Sequence, residues 1–235
     1  MGSIFRQDSA FMRALSWIVE VIWINVLMVV TSIPIITIGA ALTAGYDAAR
    51  RLRMSEGKTA SNYFRAFKAN FGKATILWLI MGPLGAGIVA LWLFVQLTPL
   101  LVIKFAATIL WLITFLWLWP VQARFENTVG KQLWNAFLIG LNRFGFTLTL
   151  LLIDVAYIAL VVSSWLYMPQ GLFLLAVLGV GLLTALHVPV AEKGLEPFIK
   201  KAANASPSVA GEAQALIEDS DADTSKKEAA AAPRP

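Results

Sequence analysis

Five apolar runs, each close to the length a bilayer requires, constrain this chain more than any other feature. They cover residues 17–42, 74–95, 100–121, 145–166 and 169–188. About 20 apolar residues in a helix cross the hydrocarbon layer, and inside that layer each backbone polar group needs a partner within the protein. The runs therefore predict an all-α membrane protein, a bundle of about five transmembrane helices with amphipathic cytoplasmic segments. Charge content agrees with this. Only 14% of the 235 residues are charged, against about a quarter in globular chains, too few to coat a soluble surface.

The intervals between the runs set the expected orientation. Residues 43–73 hold seven of the nineteen Lys and Arg residues, 122–144 hold three, and the segment after Val188 holds six. Cytoplasmic loops carry the excess of basic residues. The N-terminus is therefore expected outside and the C-terminus in the cytoplasm of a multi-pass cell-membrane protein. The same rule accounts for the net charge of +5 without invoking nucleic acid. Basic residues beside apolar spans also predict contact with the bilayer and its anionic lipid headgroups.

Three segments are expected along the chain. Residues 1–16 read as an amphipathic N-terminal segment, 17–201 as the five-span domain, and 202–235 as a disordered cytoplasmic tail. The tail is rich in Ala, Ser, Asp, Glu and Pro and holds no aromatic residue, so it cannot bury enough apolar area to offset its ordering entropy. The first run is long, and Pro34 and Gly39 mark where its last turns can bend away. FRAFKANFGKAT (64–75) and WNAFLIGLNRFGFT (134–147) share an aromatic and Ala-Phe ahead of Asn, Phe and Gly. They are either parallel repeats or a chance match.

SIPIITIGAALTAGYDAARRL (32–52), YFRAFKANFGKATILWLI (63–80) and WPVQARFENTVGKQLWNAFLIGL (119–141) resemble the YesL family. This is a bacterial group of small integral membrane proteins without an established activity. The resemblance implies a context of carbohydrate uptake and degradation, with transporter subunits as partners, and it brings no catalytic residue. The chain is accordingly expected to be a non-enzymatic accessory component linked to ABC-type carbohydrate uptake systems. The alternative is a small transporter or channel using Asp154 near the bilayer midplane.

Candidate sites are few. Zero cysteines and a single histidine, His187, exclude thiolate and His-rich metal sites, so no cofactor or metal is expected. GKT at 57–59 lacks the upstream glycine of a phosphate-binding loop, and Gly82, Gly85 and Gly87 fall inside a span, where they favour close helix packing. No catalytic set is visible; convergence of Arg124, Glu126 and His187 on a pocket would argue otherwise. Asp154, deep in the fourth run, is costly as an ion and should face the bundle interior or stay protonated. It is either a relay or ligand acceptor, or a structural acid bonded to Asn25, Ser163 or nearby threonines. Glu20 and Lys104 either pair near the outer boundary or reach separately to the headgroups, and His187 reads as a structural residue. Finally, Arg50, Arg51, Arg53, Phe64, Phe67, Lys68, Phe71 and Lys73 form an aromatic and basic set for cytoplasmic docking or lipid contact. The aromatics recur at helical spacing, which makes one stripe of an interfacial helix.

Overall fold

The computed structural model describes residues 10–205. Seven α-helices occur among them: α1 (Ala10–Ser32), α2 (Ile38–Arg53), α3 (Thr59–Phe94), α4 (Leu101–Arg124), α5 (Val129–Asn142), α6 (Phe144–Tyr167) and α7 (Gly171–Ala205). Five helices are long and apolar enough to cross a membrane, those holding Phe11–Ser32, Thr59–Phe94, Thr98–Arg124, Phe144–Tyr167 and Gly171–Ala202. The protein is an all-α membrane protein. Two compact units divide after Gly194. The described residues of the second are the last turns of α7, with an exposed Lys200–Glu196 ion pair at 2.6 Å. The expected tail lies mostly outside the described residues, as do the first nine residues of the amphipathic N-terminal segment.

The first run is not one span, which corrects the boundary at 42. A proline disfavours helix at the residue before it, and α1 stops at Ser32, two residues short of Pro34. Pro34 is extended, with φ −73° and ψ 105°, and a 3₁₀ turn at Ile35–Thr37 leads into α2. The Thr37 hydroxyl holds this corner, reaching the Thr31 carbonyl at 2.5 Å and the Pro34 carbonyl at 2.6 Å. Residues 10–16 of the expected N-terminal segment are continuous with α1.

The largest departure concerns the burial of 43–73, expected to be a basic segment between spans. Its first part belongs to α2, the most buried helix described: every residue from Gly39 to Arg50 except Leu42 is buried. Small residues explain how. Gly39, Ala40, Ala41, Ala44, Gly45, Ala48 and Ala49 let neighbouring helices approach the α2 backbone. A Cβ on Gly39 would meet the Ala74 backbone, and one on Gly45 would meet the Met28 side chain.

The second part of that segment is not a separate interfacial helix. Phe64, Phe67 and Phe71 lie in α3, which runs unbroken for 36 residues, or ~54 Å at 1.5 Å per residue. That exceeds the ~30 Å hydrocarbon layer, so one end of α3 continues past it. Residues 64–75 are thus within one helix, whereas 134–147 cross a helix break at Arg143, with φ −112° and ψ 43°. The two similar segments do not share a structure.

Beyond α3 the chain makes two tight returns. Lys104, 4% exposed, donates to the Val95 carbonyl at the end of α3 and lies 5.3 Å from the centroid of the Trp92 ring. A cation there complements the negative end of the α3 dipole. It makes no ion pair with Glu20 among the described residues. Within the bundle, Trp117 is fully buried and donates its indole N–H to Thr147 Oγ1 at 2.8 Å, joining α4 to α6. Gly85 meets the Trp111 ring as expected of a packing glycine, whereas Gly87 has open space around it.

Candidate functional site

α6 and α7 form a helical hairpin through Met168–Gln170, and this connection sets the depth of the site. Asp154 lies thirteen residues before the end of α6 and His187 sixteen residues after the start of α7. At 1.5 Å per residue both lie ~20–24 Å from the turn, deep in the spans. Antiparallel helices therefore bring them together, with His187 Nε2 3.1 Å from Asp154 Oδ1. The approach is off the direction a hydrogen bond needs, so His187 Nε2 is buried with its hydrogen-bonding capacity unused. His187 is mid-helix, because α7 continues well past the expected span end at 188.

The pair lines a cavity of about 120 Å³ between α2, α4, α6 and α7. Its wall is mainly apolar, with Leu42 and Tyr46 from α2, Phe115 and Trp119 from α4, and Leu183 from α7. The Phe115 and Trp119 rings meet edge to face, 5.5 Å apart at 82°. The Trp119 indole N–H is buried without an acceptor. Pro120 also lines the cavity and has no N–H to offer the Leu116 carbonyl one turn back. Thr184 closes part of the wall, with its hydroxyl bonded to the Val180 carbonyl at 2.7 Å.

A second polar group adjoins the cavity through Tyr46. Its hydroxyl donates to Glu192 Oε1 at 2.9 Å, and Arg124 Nε lies 3.5 Å from the same oxygen. Burial, then the neighbouring Glu192 carboxylate, pushes the Tyr46 phenol well above its ordinary value of 10.0. Of Arg124, Glu126 and His187, only His187 lines the cavity.

Asn25 is not a partner of Asp154, which corrects that expected grouping. It is 3% exposed and serves α7 at Gly179, where φ 14° and ψ −121° interrupt the helix. Asn25 Nδ2 donates to the carbonyls of Ala176 and Val177 at 2.9 Å each, and its Oδ1 accepts from the Gly181 N–H at 3.1 Å. A broken helix in lipid must find partners for its freed backbone groups. Asn25 supplies them.

The docking set divides. Arg50, 7% exposed, pairs with buried Asp47 at 2.7 Å, and Arg51 pairs with Asp47 at 2.8 Å and Glu56 at 3.2 Å. Hydrogen bonding to Asp47 raises the Arg51 guanidinium above its ordinary range. These two arginines hold the end of α2 and are not free for docking. Phe67 is half-buried and stacks on Tyr63, with centroids 6.2 Å apart. Arg53, Phe64, Lys68, Phe71 and Lys73 remain exposed. Among the described residues, no group of three or more His, Asp or Glu side chains is placed to hold a metal.

Together these features define a multi-pass helical membrane protein with an acid–imidazole pair in its interior. A family model described as "Protein of unknown function, DUF624" matches residues 21–90. That match spans most of α1, all of α2 and most of α3, including Asn25, Tyr46 and Asp47; Asp154 and His187 fall beyond it. No curated protein and no solved structure matches the chain.

Proposed function

We propose that this chain is a non-enzymatic accessory component of an ABC-type carbohydrate uptake system in a bacterial cell membrane. In this reading the N-terminus is outside, the C-terminus is cytoplasmic, and the exposed start of α3 docks the transporter. The observation that carries it is the face of Phe64, Lys68, Phe71 and Lys73, exposed on a helix that continues directly into a span. Such a helix transmits a contact at its polar end into the bundle. Support for the context comes from the resemblance of 32–52, 63–80 and 119–141 to the YesL family, and the first two of these lie within the matched 21–90. The absence of a nucleophile–base set from the sequence supports a non-enzymatic role. Affinity capture of the tagged chain from native membranes is expected to bring down transporter subunits. Recovery of lipid alone, with sugar uptake unchanged on deletion, overturns the reading. A reporter fused after Pro235 is expected to be active only in the cytoplasm.

The contact between Asp154 and His187 favours a second reading, a small transporter that uses the cavity between α2, α4, α6 and α7. Ionisable groups deep in a span mark solute and proton paths more often than lipid-facing positions do. Flux of a candidate solute in reconstituted vesicles, abolished by Asp154→Asn, is the expected result, and unchanged flux removes it.

A further inference from the structure

We infer that the Asp154–His187 cavity binds a small alkylammonium ion. The use of this site for flux rests on the transporter reading above; occupancy of the site does not.

Charge balance comes first. Asp154 supplies the one carboxylate lining the cavity, with His187 Nε2 3.1 Å from its Oδ1 and making no hydrogen bond to it. A net charge in a low-dielectric interior costs several kcal/mol per ion. A cation seated beside the Asp154 carboxylate therefore offsets the charge of both. No covalent bond is made or broken in the ligand.

The groups around the pair do not alter that balance. From α2 the cavity receives Tyr46, whose hydroxyl is held by Glu192 of α7, and Glu192 is in turn paired with Arg124 of α4. The α4 wall itself is apolar and aromatic, and α6 contributes only Asp154. Neither lysine nor arginine lines the cavity, so nothing there supplies a fixed counter-charge to Asp154.

The wall then selects the kind of cation. A hard metal ion needs about six oxygen ligands, and the cavity offers one carboxylate among apolar side chains. An ammonium needs acceptors for its N–H groups. Asp154 is one, and His187 Nε2, buried without a hydrogen-bond partner, is a second. Phe115 and Trp119 line the same cavity, and an aromatic wall suits weakly hydrated organic cations better than strongly hydrated ones. Leu42 and Leu183 accommodate an alkyl group. Size sets the upper limit, since the cavity of about 120 Å³ is slightly smaller than one of roughly 150 Å³ that admits benzene.

The test titrates the full chain, in lipid nanodiscs, with ethylammonium chloride by calorimetry. Saturable binding is expected. Potassium and tetramethylammonium, which lack N–H donors, are expected to bind at least ten times more weakly. Asp154→Asn is expected to abolish binding. His187→Phe, which removes the second acceptor and keeps an aromatic ring, is expected to weaken binding at least tenfold, and it decides the matter if Asp154→Asn does not fold. No saturable binding to the parent protein, or unchanged binding in Asp154→Asn or His187→Phe, overturns the inference. Reconstituted vesicles separate the two readings. Ethylammonium binding without flux removes the transporter reading and leaves the site, whereas flux of another solute without ethylammonium binding removes the site alone.

Discussion

Asn25 on α1 and Gly181 on α7 meet at the point where α7 loses its helical backbone, the glycine N–H lying 3.1 Å from Asn25 Oδ1. One side chain thus replaces the hydrogen bonds that a break at Gly179 would otherwise leave open in an apolar medium. Asn25→Leu keeps approximate volume and removes all three bonds. Membrane hydrogen bonds average ~0.6 kcal/mol with a maximum near 1.7, and stranded buried groups add to that. A loss of roughly 2 kcal/mol is expected, read as a lower unfolding midpoint in detergent. An unchanged midpoint would show that α7 finds other partners.

Gly181 and Gly87 form a matched pair for the next prediction. A Cβ on Gly181 would lie 2.7 Å from the Val21 carbonyl and 2.8 Å from the Asn25 backbone nitrogen. Both are backbone atoms that cannot rotate aside. Gly181→Ala is therefore expected to separate α1 from α7 and cost about 1–3 kcal/mol, as overpacking does. Gly87 has nothing within 4 Å, and Gly87→Ala is expected to leave stability unchanged or raise it by up to ~1 kcal/mol. Thermal unfolding of the two variants side by side measures the difference.

The same contacts show how far the sequence could be read. The spans were legible because bilayer thickness imposes one length on every apolar run, and Pro34 marked where the first would turn. α2 was not legible, since its alanines, glycines and charges have the composition of a loop. Its burial comes from backbone approach, which hydropathy does not register. The Asp154–His187 contact was within reach: the two positions lie nearly equidistant from the Pro169 turn, and an antiparallel hairpin puts such positions side by side. The grouping of Asn25 with Asp154 failed for a different reason. The partners of Asn25 are backbone atoms freed by a break at Gly179, and one glycine among several in an apolar run does not announce a break.

Asp47 and Arg50 give a prediction about the buried end of α2. Their side chains are 9% and 8% exposed and meet at 2.7 Å. Removing one member of a buried pair leaves an uncompensated charge, which costs roughly 3–5 kcal/mol. Asp47→Asn is expected to fall at the low end of that range, since asparagine still accepts one hydrogen bond. Glu56 is 48% exposed, 3.2 Å from Arg51, and Glu56→Gln is expected to cost less than ~1 kcal/mol. Denaturant midpoints that did not separate the two variants would mean that water reaches Arg50.

Tyr46 lies outside the five spans, and its titration yields a pH prediction with a definite sign. Burial is the main cause of its raised value, with Glu192 adding to it and Arg124 and Arg50 opposing. A raised value means that the folded protein keeps a phenolic proton that the unfolded chain gives up. That contribution is complete below the ordinary tyrosine value near 10 and is lost as pH climbs from there towards the folded value. Stability is therefore expected to fall above pH ~10, by up to ~1.4 kcal/mol per pH unit from this group. Tyr46→Phe removes the group and the bond to Glu192, costing ~1 kcal/mol at neutral pH, and flattens the alkaline decline. Arg51, also raised, contributes equally to both proteins and cancels in the comparison. Unfolding midpoints at pH 7, 9.5, 10.5 and 11 measure the effect, and parallel declines in the two proteins would place the Tyr46 hydroxyl in contact with water.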